Sequence, residues 1–452
     1  MSDPIAAIAT GGQVSAIGIV RLSGEGVIEL AGRLFTPQRG PELARQPDRK
    51  LCYGALRRRD GSLLDLCLAT VSRGPNSYTG EDTVELQCHG SPLLLRTLLE
   101  ELFALGARQA GPGEFTKRAF LNGRLGLSEA EAVADLIDAE SEEALRNAAG
   151  QLSGAIHRRA AAIYDRLSDM SAHFHAVLDY PDEDIEDFQL RAYRETMAED
   201  LGQLEALGRT FARGKTLNAG IPTAIVGRPN AGKSSLLNAL LGYERAIVTS
   251  VPGTTRDTIE ERLRLGGITL RLIDTAGIRE TGDEVERLGV QRSRDALERS
   301  ELVIAVVDGS GAFTPEDGEI LRAAEAAPKA LAVLSKRDLA AVTEKIETTL
   351  PVIPISSVTG EGLDQLEEAI AALFPLPQVP AGEILTNARQ AQAVERAAES
   401  LRAALEALDS GLTPDLVLTE AETAMSALGE LTGRNVREDV TNRIFQRFCV
   451  GK

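Results

Sequence analysis

The sequence predicts a multidomain chain of mixed α+β and α/β type: an N-terminal α/β unit, an α-helical domain in two pieces, and an α/β domain inserted between those pieces. Three observations carry this. Residues 1 to about 120 hold short strand-like runs separated by turns. Two stretches of helical periodicity, 122–210 and 388–408, flank the segment 219–378. Inside that segment strands and helices alternate, as in a parallel sheet covered by helices. At 452 residues the length suits about three domains.

The elements follow in order. Ile17–Leu22, Leu66–Val71 and Thr83–Gln87 read as strands, and Leu93–Leu105 has a helical period, so 1–120 forms one α/β unit. Near Asn122 the texture changes. Ser128 and Glu131 have capping-box spacing. Val133, Leu136, Ile137, Ala144, Leu145, Ala148 and Leu152 then recur at spacings of three and four. Residues 121–215 are therefore expected to be helical, with a break at Tyr180-Pro181. The acidic run Asp182–Asp187 after that break reads as a solvated loop rather than a metal site. Pro375, Pro377 and Pro380 mark a boundary, so the inserted domain spans 216–378 and the second helical piece 379–452.

A net charge of −18 argues against coating nucleic acid through the overall field. A local basic patch is compatible with it. Arg39, Arg45, Arg49, Lys50 and Arg57-Arg58-Arg59 form one candidate, and a solvated loop face accounts for them equally well. Four cysteines without paired spacing, and only four histidines, argue against a disulfide framework or a soft-ligand metal centre. Any metal is expected to be Mg²⁺ at phosphates. Met1-Ser-Asp-Pro-Ile lacks the basic start and apolar run of a signal peptide. No run reaches the roughly 18 apolar residues of a membrane span. A cytoplasmic protein is the expectation.

Gly227-Arg-Pro-Asn230-Ala231-Gly232-Lys233-Ser234 is a full P-loop, G-x-x-x-x-G-K-S. Its glycines let backbone N–H groups face a polyphosphate, Lys233 supplies an ammonium, and Ser234 supplies a hydroxyl for Mg²⁺. The strand-like Thr223–Val226 precedes it, and Ser235–Leu241 follows with helical spacing. Four more motifs follow. Thr249-Ser250-Val251-Pro252-Gly253-Thr254-Thr255 is a flexible loop with hydroxyls for Mg²⁺. The strand Leu270–Ile273 runs into Asp274-Thr275-Ala276-Gly277, where an aspartate can hold Mg²⁺ through water and a glycine N–H can reach the γ-phosphate. Ala330–Leu334 precedes Ser335-Lys336-Arg337-Asp338, and Val352–Ile355 precedes Ser356-Ser357-Val358. Ligands of such folds sit beyond the carboxyl ends of strands, where these motifs lie.

This set resembles the G-protein family, in which the aspartate of N-K-x-D takes two hydrogen bonds from guanine. Asp338 matches it, and Ser335 stands where the family has asparagine. Guanine selectivity is expected to survive, with somewhat weaker affinity. Ile278 stands where Ras-like proteins carry a glutamine that orients water. The water then needs another organiser, with Glu280, Asp283, Glu284 and Glu286 nearby. No arginine finger is evident in cis, so charge stabilisation comes from a cation, a partner or a second copy.

Further motifs make the resemblance specific: Ala6–Thr10, Ile19–Gly24, Pro75–Asp82, Gly111–Phe115, Ala119–Leu125 and the terminal Phe448-Cys449-Val450-Gly451-Lys452. Together they closely resemble the MnmE (TrmE) family of tRNA-modification GTPases over essentially the whole chain. The resemblance implies an N-terminal folate-binding, dimer-forming domain, a discontinuous helical domain and an inserted Ras-like G domain. It implies a homodimer, an FAD-dependent partner called MnmG (GidA), with FAD on the partner only, and a tRNA substrate. The pair adds an aminomethyl or carboxymethylaminomethyl group at C5 of the wobble uridine of certain tRNAs. The one-carbon donor is 5-formyl- or methylene-tetrahydrofolate.

Residue roles follow from the same resemblance. Asn230, Thr249, the carbonyl of Val251, and Thr254 match K⁺ ligands; Ser234 and Thr255 match Mg²⁺ ligands. The K⁺ bridges G domains dimerised across their nucleotide faces, in place of an arginine finger. Glu286 matches the organiser of the hydrolytic water. Arg21, Glu85, Arg124 and Lys452 match folate-contacting positions, although the family usually has lysine where Arg124 stands. The loop Thr10–Ala16 departs from the family's P-P-G-x-G-G pattern. Cys449 reads either as a thiol with a chemical role or as a small packing residue. The other functional reading is a ribosome-assembly GTPase of Era/Der type. That would need a basic RNA-binding appendage, and no KH-type G-x-x-G loop stands outside the G domain.

Overall fold

A computed structural model describes residues 2–179, 190–242, 248–249, 261–265, 268–273, 297–339, 346–375, 379–433, 445 and 448–451. The chain divides into two compact units. One comprises Met1–Ile137, Gln151–Leu204 and Ala393–Lys452, and the other comprises Asp138–Gly150 and Glu205–Gln392.

The first unit opens with β1 (Ile5–Ile8), β2 (Ser15–Ser23), α1 (Val27–Gly32), β3 (Phe35–Pro37), β4 (Cys52–Arg57), β5 (Leu63–Ser72) and β6 (Thr83–Gly90). Helix α2 (Pro92–Ala104), β7 (Arg108–Gln109) and α3 (Glu114–Leu121) follow. The sheet order is β3-β4-β5-β6-β2-β1-β7. Alternation along β2 and β6 sends Val20, Leu22, Val84 and Leu86 into a core closed by Leu95, Leu98 and Leu102 of α2. Arg21 and Glu85 fall opposite each other on the other face.

Helices α4 (Leu127–Asp138), α6 (Ala155–Asp179), α7 (Leu190–Arg209), α12 (Ala388–Asp409) and α13 (Pro414–Thr432) supply the helical part of this unit, with α13 packed along α6. The expected capping box is not formed. Ser128 lies inside α4, buried, and its hydroxyl donates to the Leu431 carbonyl at 2.8 Å. The carboxylate that reaches back over the helix start is Glu129, which accepts from the Gly126 N–H. Burial against α13 gave the serine a tertiary acceptor, so the neighbouring glutamate took the end of the helix. The C-terminal tail docks on the N-terminal sheet region. Phe445 and Phe448 are buried beside Phe120, the Gly113 N–H donates to the Cys449 carbonyl at 3.3 Å, and Pro112 bridges Val450. Gly451 has φ +102, and a Cβ there would lie 2.2 Å from the Ile8 carbonyl, so the tail can dock only with glycine.

The second unit holds the other sheet, of order β14-β13-β12-β8-β11-β10-β9. Its strands are β8 (Ile221–Val226), β9 (Val248–Thr249), β10 (Glu261–Leu265), β11 (Ile268–Leu272), β12 (Leu302–Asp308), β13 (Lys329–Ser335) and β14 (Val352–Pro354). From β14 to β11 the pairing is parallel, while β9 and β10 are antiparallel additions. Its helices are α5 (Glu142–Leu152), which ends just past the unit's first segment, α8 (Phe211–Ala219), α9 (Lys233–Gly242), α10 (Pro315–Glu325) and α11 (Leu363–Leu373). The near-continuous apolar runs of β12 and β13 are what a strand covered on both faces requires. Asn147 fastens the segment after 379 to α5. Its amide donates to the Ile384 carbonyl at 3.0 Å, and its oxygen accepts from the N–H groups of Gly382 and Ile384 at 3.2 Å. No helix among the described residues is long and apolar enough to cross a membrane.

Candidate functional site

The P-loop leaves the carboxyl end of β8, inside the parallel part of the sheet, and α9 begins at Lys233. Its shape depends on local backbone chemistry. Asn230 has φ +62 and Gly232 φ +101, left-handed conformations open to asparagine and glycine. At Gly227 a Cβ would sit 2.5 Å from the Val306 carbonyl of β12, which forces glycine. The Lys233 ammonium donates to the carbonyls of Gly227 at 2.7 Å and Arg228 at 2.8 Å. Burial pushes its pKa down, and the Glu316 carboxylate opposes that shift. The ammonium is thus held at the mouth of the loop, where a β/γ phosphate oxygen would meet it. Asn230 and Ser235 are exposed, Ala231 is buried and Ser234 is half-buried.

The loops after β13 and β14 come to the same edge of the sheet. Asp338 accepts at Oδ1 from the Ser356 hydroxyl at 2.7 Å, and Ser356 itself is fully buried. That contact orients the carboxylate and leaves its other oxygen for a purine N–H. Ser357 is half-buried and Val358 is exposed. Ser335 does reach the P-loop: its hydroxyl lies 2.6 Å from the Ala231 carbonyl and 3.0 Å from that of Val307. Lys336, with φ +59, donates to Asp308 at 2.6 Å. Burial raises the Asp308 carboxyl, but Lys336 and Ser310 outweigh it and hold the group below its ordinary range.

Three contacts of this site are not written in the motifs themselves, although Ser335 stands in one of them as a shorter reach toward the base or the P-loop. Asp308 closes β12 and anchors Lys336. Asp317, 1% exposed at the start of α10, binds Arg228 of the P-loop at 2.6 Å. Ser335 bridges two loops. The first had a visible signal, an aspartate ending an apolar strand. The other two depend on partners about 90 and 100 residues away. Thr249 is described through its backbone, which pairs with Arg262 of β10. Ser250, Val251, Pro252, Gly253, Thr254, Thr255, Asp274, Thr275, Ala276, Gly277 and Glu286 lie outside the described residues.

A second candidate site lies in the N-terminal sheet. Arg21 and Glu85, cross-strand neighbours, meet at 2.8–2.9 Å. The guanidinium stands 5.7 Å from the Tyr78 ring and 5.8 Å from the Phe115 ring. A cavity of about 120 Å³ opens there, lined by Arg21, Thr70, Tyr78, Thr79, Thr83 and Glu85. That volume is below the roughly 300–1,000 Å³ of a pocket that encloses a whole drug-sized ligand. Arg124 is exposed beside the Tyr78–Glu81 loop, its Cγ 3.4 Å from where a Gly80 Cβ would stand. Lys452 lies outside the described residues, but the tail carrying it is docked against Ile8 and Gly113. Cys449 is exposed and free. A larger cavity of about 550 Å³ lies nearby, with Glu81, Glu114 and Arg118 in its wall. Those charged groups are already paired with one another.

The P-loop and the Asp338 loop leave one edge of one sheet, so a nucleotide laid along the first presents its base to the second. This is the arrangement of a P-loop GTPase of the G-protein class. The profile described as "GTP-binding protein TrmE N-terminus" matches residues 4–124, and that of the "MnmE helical domain" matches residues 127–449. A tRNA modification GTPase MnmE of Symbiobacterium thermophilum is 44% identical over 456 residues, covering 100% of this chain and 99% of the relative. Another from Thermus thermophilus is 46% identical over 453 residues, covering 100% of both. Among solved structures, the G domain of the T. maritima FeoB iron transporter aligns at 31% identity over 34% of this chain and 98% of that one, with a TM-score of 0.24. The chain belongs to the MnmE family of tRNA modification GTPases. Its fold is the expected mixture of an N-terminal α/β domain, a helical domain and a Ras-like G domain. It is a GTPase acting in tRNA modification, and this family, rather than the Era/Der type, accounts for its whole length.

Proposed function

We propose that GTP hydrolysis by this chain gates the addition of an aminomethyl or carboxymethylaminomethyl group at C5 of the wobble uridine, in a cytoplasmic complex with the FAD-dependent partner MnmG. The observation that supports it best is the coexistence, in one chain, of a complete P-loop with Lys233 at its mouth and of the Arg21–Glu85 cavity. The first is a switch and the second a place for a one-carbon carrier. The domain reading is 1–120, then 121–215 with 379–452, and 216–378.

In the G domain, Ser234 and Thr255 would hold Mg²⁺, and Asn230, Thr249, Val251 and Thr254 would hold K⁺. Bound at that position, K⁺ supplies positive charge to the phosphates as they cleave. Lys233 shifts from its two carbonyls to the β/γ oxygens, Asp338 reads guanine, and Glu286 orients the attacking water through hydrogen bonds. At the N-terminal site Arg21 and Glu85 present a donor–acceptor pair to a tetrahydrofolate head, with Tyr78 beside it as an aromatic wall, while Arg124 and Lys452 bind the carrier's carboxylates. The chain works as a homodimer. Exposed Ile17, Tyr53, Leu66 and Leu68 on the N-terminal sheet support a protein contact there. Cys449, exposed on the docked tail, is free for chemistry at that site.

The test is the wobble nucleoside profile of tRNA from a strain lacking this gene. An unmodified uridine restored by the wild-type chain and not by Lys233→Ala upholds the reading. A normal profile in the deletion strain would refute it.

A further inference from the structure

Between residues 33 and 59 stand eight basic and two acidic residues, a local excess of six in a chain of net −18. The fold gathers them along one edge of the N-terminal sheet. Strand β3 is the edge strand and β4 its neighbour. At one end the Arg57 N–H donates to the Leu34 carbonyl, which places Arg57 and Arg58 beside Arg33. At the other end the Gln38 N–H donates to the Tyr53 carbonyl, bringing Arg39 to the start of β4, where Lys50 stands. Arg45 ends the 3-10 turn Leu43–Arg45 of the connecting loop. The Arg73 guanidinium braces that loop by donating to the carbonyls of Gln46 at 3.1 Å and Ala44 at 2.7 Å.

Many cations elsewhere in the molecule are neutralised. Arg108, Arg118, Arg166, Arg194, Arg228, Arg262 and Arg396 all hold carboxylates. Along the edge Arg49 leans on Asp48 and Arg59 on Glu101. Arg33, Arg39, Arg45, Lys50, Arg57 and Arg58 are exposed, with no carboxylate at ion-pair distance among the described residues. Arg96, Arg124, Arg209, Lys215, Arg299 and Arg337 are also exposed with no carboxylate at ion-pair distance among the described residues, but they occur singly along the chain, whereas those of this edge are gathered. From Lys50 to Arg57 the strand spans about 20–25 Å. Exposed cations at both ends of such a span match a polyanion, since a phosphodiester chain presents charge at regular intervals and is bound mainly by such contacts. We propose that this basic edge is a docking surface for the phosphate backbone of RNA. The proposal rests on the tRNA-modifying role and adds to it the surface that carries the substrate.

The test uses the full-length protein and an unmodified tRNA transcript. Wild type is compared with Arg39→Ala/Arg45→Ala/Lys50→Ala and with Arg33→Ala/Arg57→Ala/Arg58→Ala. Affinity is measured from about 50 to 200 mM salt, with thermal unfolding, GTP hydrolysis and particle mass as controls. Each triple variant is expected to bind at least about tenfold more weakly and to flatten the slope of log affinity against log salt by about two to three. Unfolding and hydrolysis stay close to wild type, because the substituted side chains are exposed, hold no carboxylate among the described residues and lie outside the P-loop, and the one bond lost, from Arg57 to the Gly61 carbonyl, is itself exposed. An unchanged slope in both variants overturns the proposal. So does a wild type that binds no tRNA alone, although an unmodified wobble uridine in the deletion strain would still uphold the enzymatic reading. A variant that keeps its RNA affinity but changes particle mass would make the edge a protein contact, and would overturn the proposal too.

Discussion

The Ser335 hydroxyl donates to the Ala231 carbonyl at 2.6 Å, fastening the loop that carries Asp338 to the P-loop. Asparagine has a longer reach at the position the G-protein family gives it. Here the serine manages because Gly232 carries no Cβ; one built there would lie 3.2 Å from Ser335 Oγ. Ser335→Ala leaves a carbonyl without its donor in a place closed to water. The cost is about 1–3 kcal/mol, expected as a roughly tenfold loss of GTP affinity with guanine preference retained. Titration with GTP and ATP checks both parts. An unchanged GTP affinity would show that the bridge is dispensable.

Ser356 leaves one Asp338 oxygen uncommitted, and in the proposed function that oxygen reads the base. Asp338→Asn puts a donor where guanine also donates. GTP binding should fall by about a hundredfold or more, while xanthosine triphosphate, with a carbonyl in place of the exocyclic amine, should bind better than GTP. Competition between the two nucleotides measures this. A variant that still prefers GTP would remove Asp338 from base recognition.

Asn230 combines a left-handed backbone with an exposed amide. Asn230→Gly keeps the backbone and deletes the proposed K⁺ ligand, whereas Asn230→Ala also adds about 1–2 kcal/mol of strain. In wild type, K⁺ should accelerate GTP hydrolysis far more than Na⁺. In Asn230→Gly the K⁺ response should vanish with nucleotide affinity near wild type. Equal wild-type rates in the two salts would count against K⁺-driven dimerisation.

Glu114 holds the N-terminal region together electrostatically. Burial pushes its carboxyl up, but the Arg108 guanidinium, the Gly111 N–H and Arg118 outweigh that and hold it at about 2. A carboxylate depressed in the fold stabilises it above its unfolded value near 4.5, and that stability is lost as pH falls toward 2. Glu114→Gln should therefore unfold more easily than wild type at pH 7, by roughly 1–3 kcal/mol. The two melting curves should converge as pH drops from about 4.5 to 2. A difference that persists at pH 2 would mean that packing, not charge, is lost.

The sequence by itself determined the parts whose chemistry is local. A left-handed loop needs Gly232 and tolerates Asn230, a helix can start at Lys233, and an apolar run such as β12 can end in an aspartate; each is written within a few residues. For the same reason the motif order was legible as a G domain, and the termini as an MnmE-like frame. Only the tertiary structure decided what depends on competition among distant partners. It took Ser128 away from the helix end and gave it to Leu431, and it let Ser335 meet Ala231 across about 100 residues. Strand register set Arg21 against Glu85. It also left Arg39, Lys50 and Arg57 exposed along one sheet edge without acidic partners among the described residues, where the sequence admitted a loop face equally well. A hydrogen bond or ion pair forms with whichever group the fold brings within about 3 Å, and that distance is set by register and packing over the whole chain.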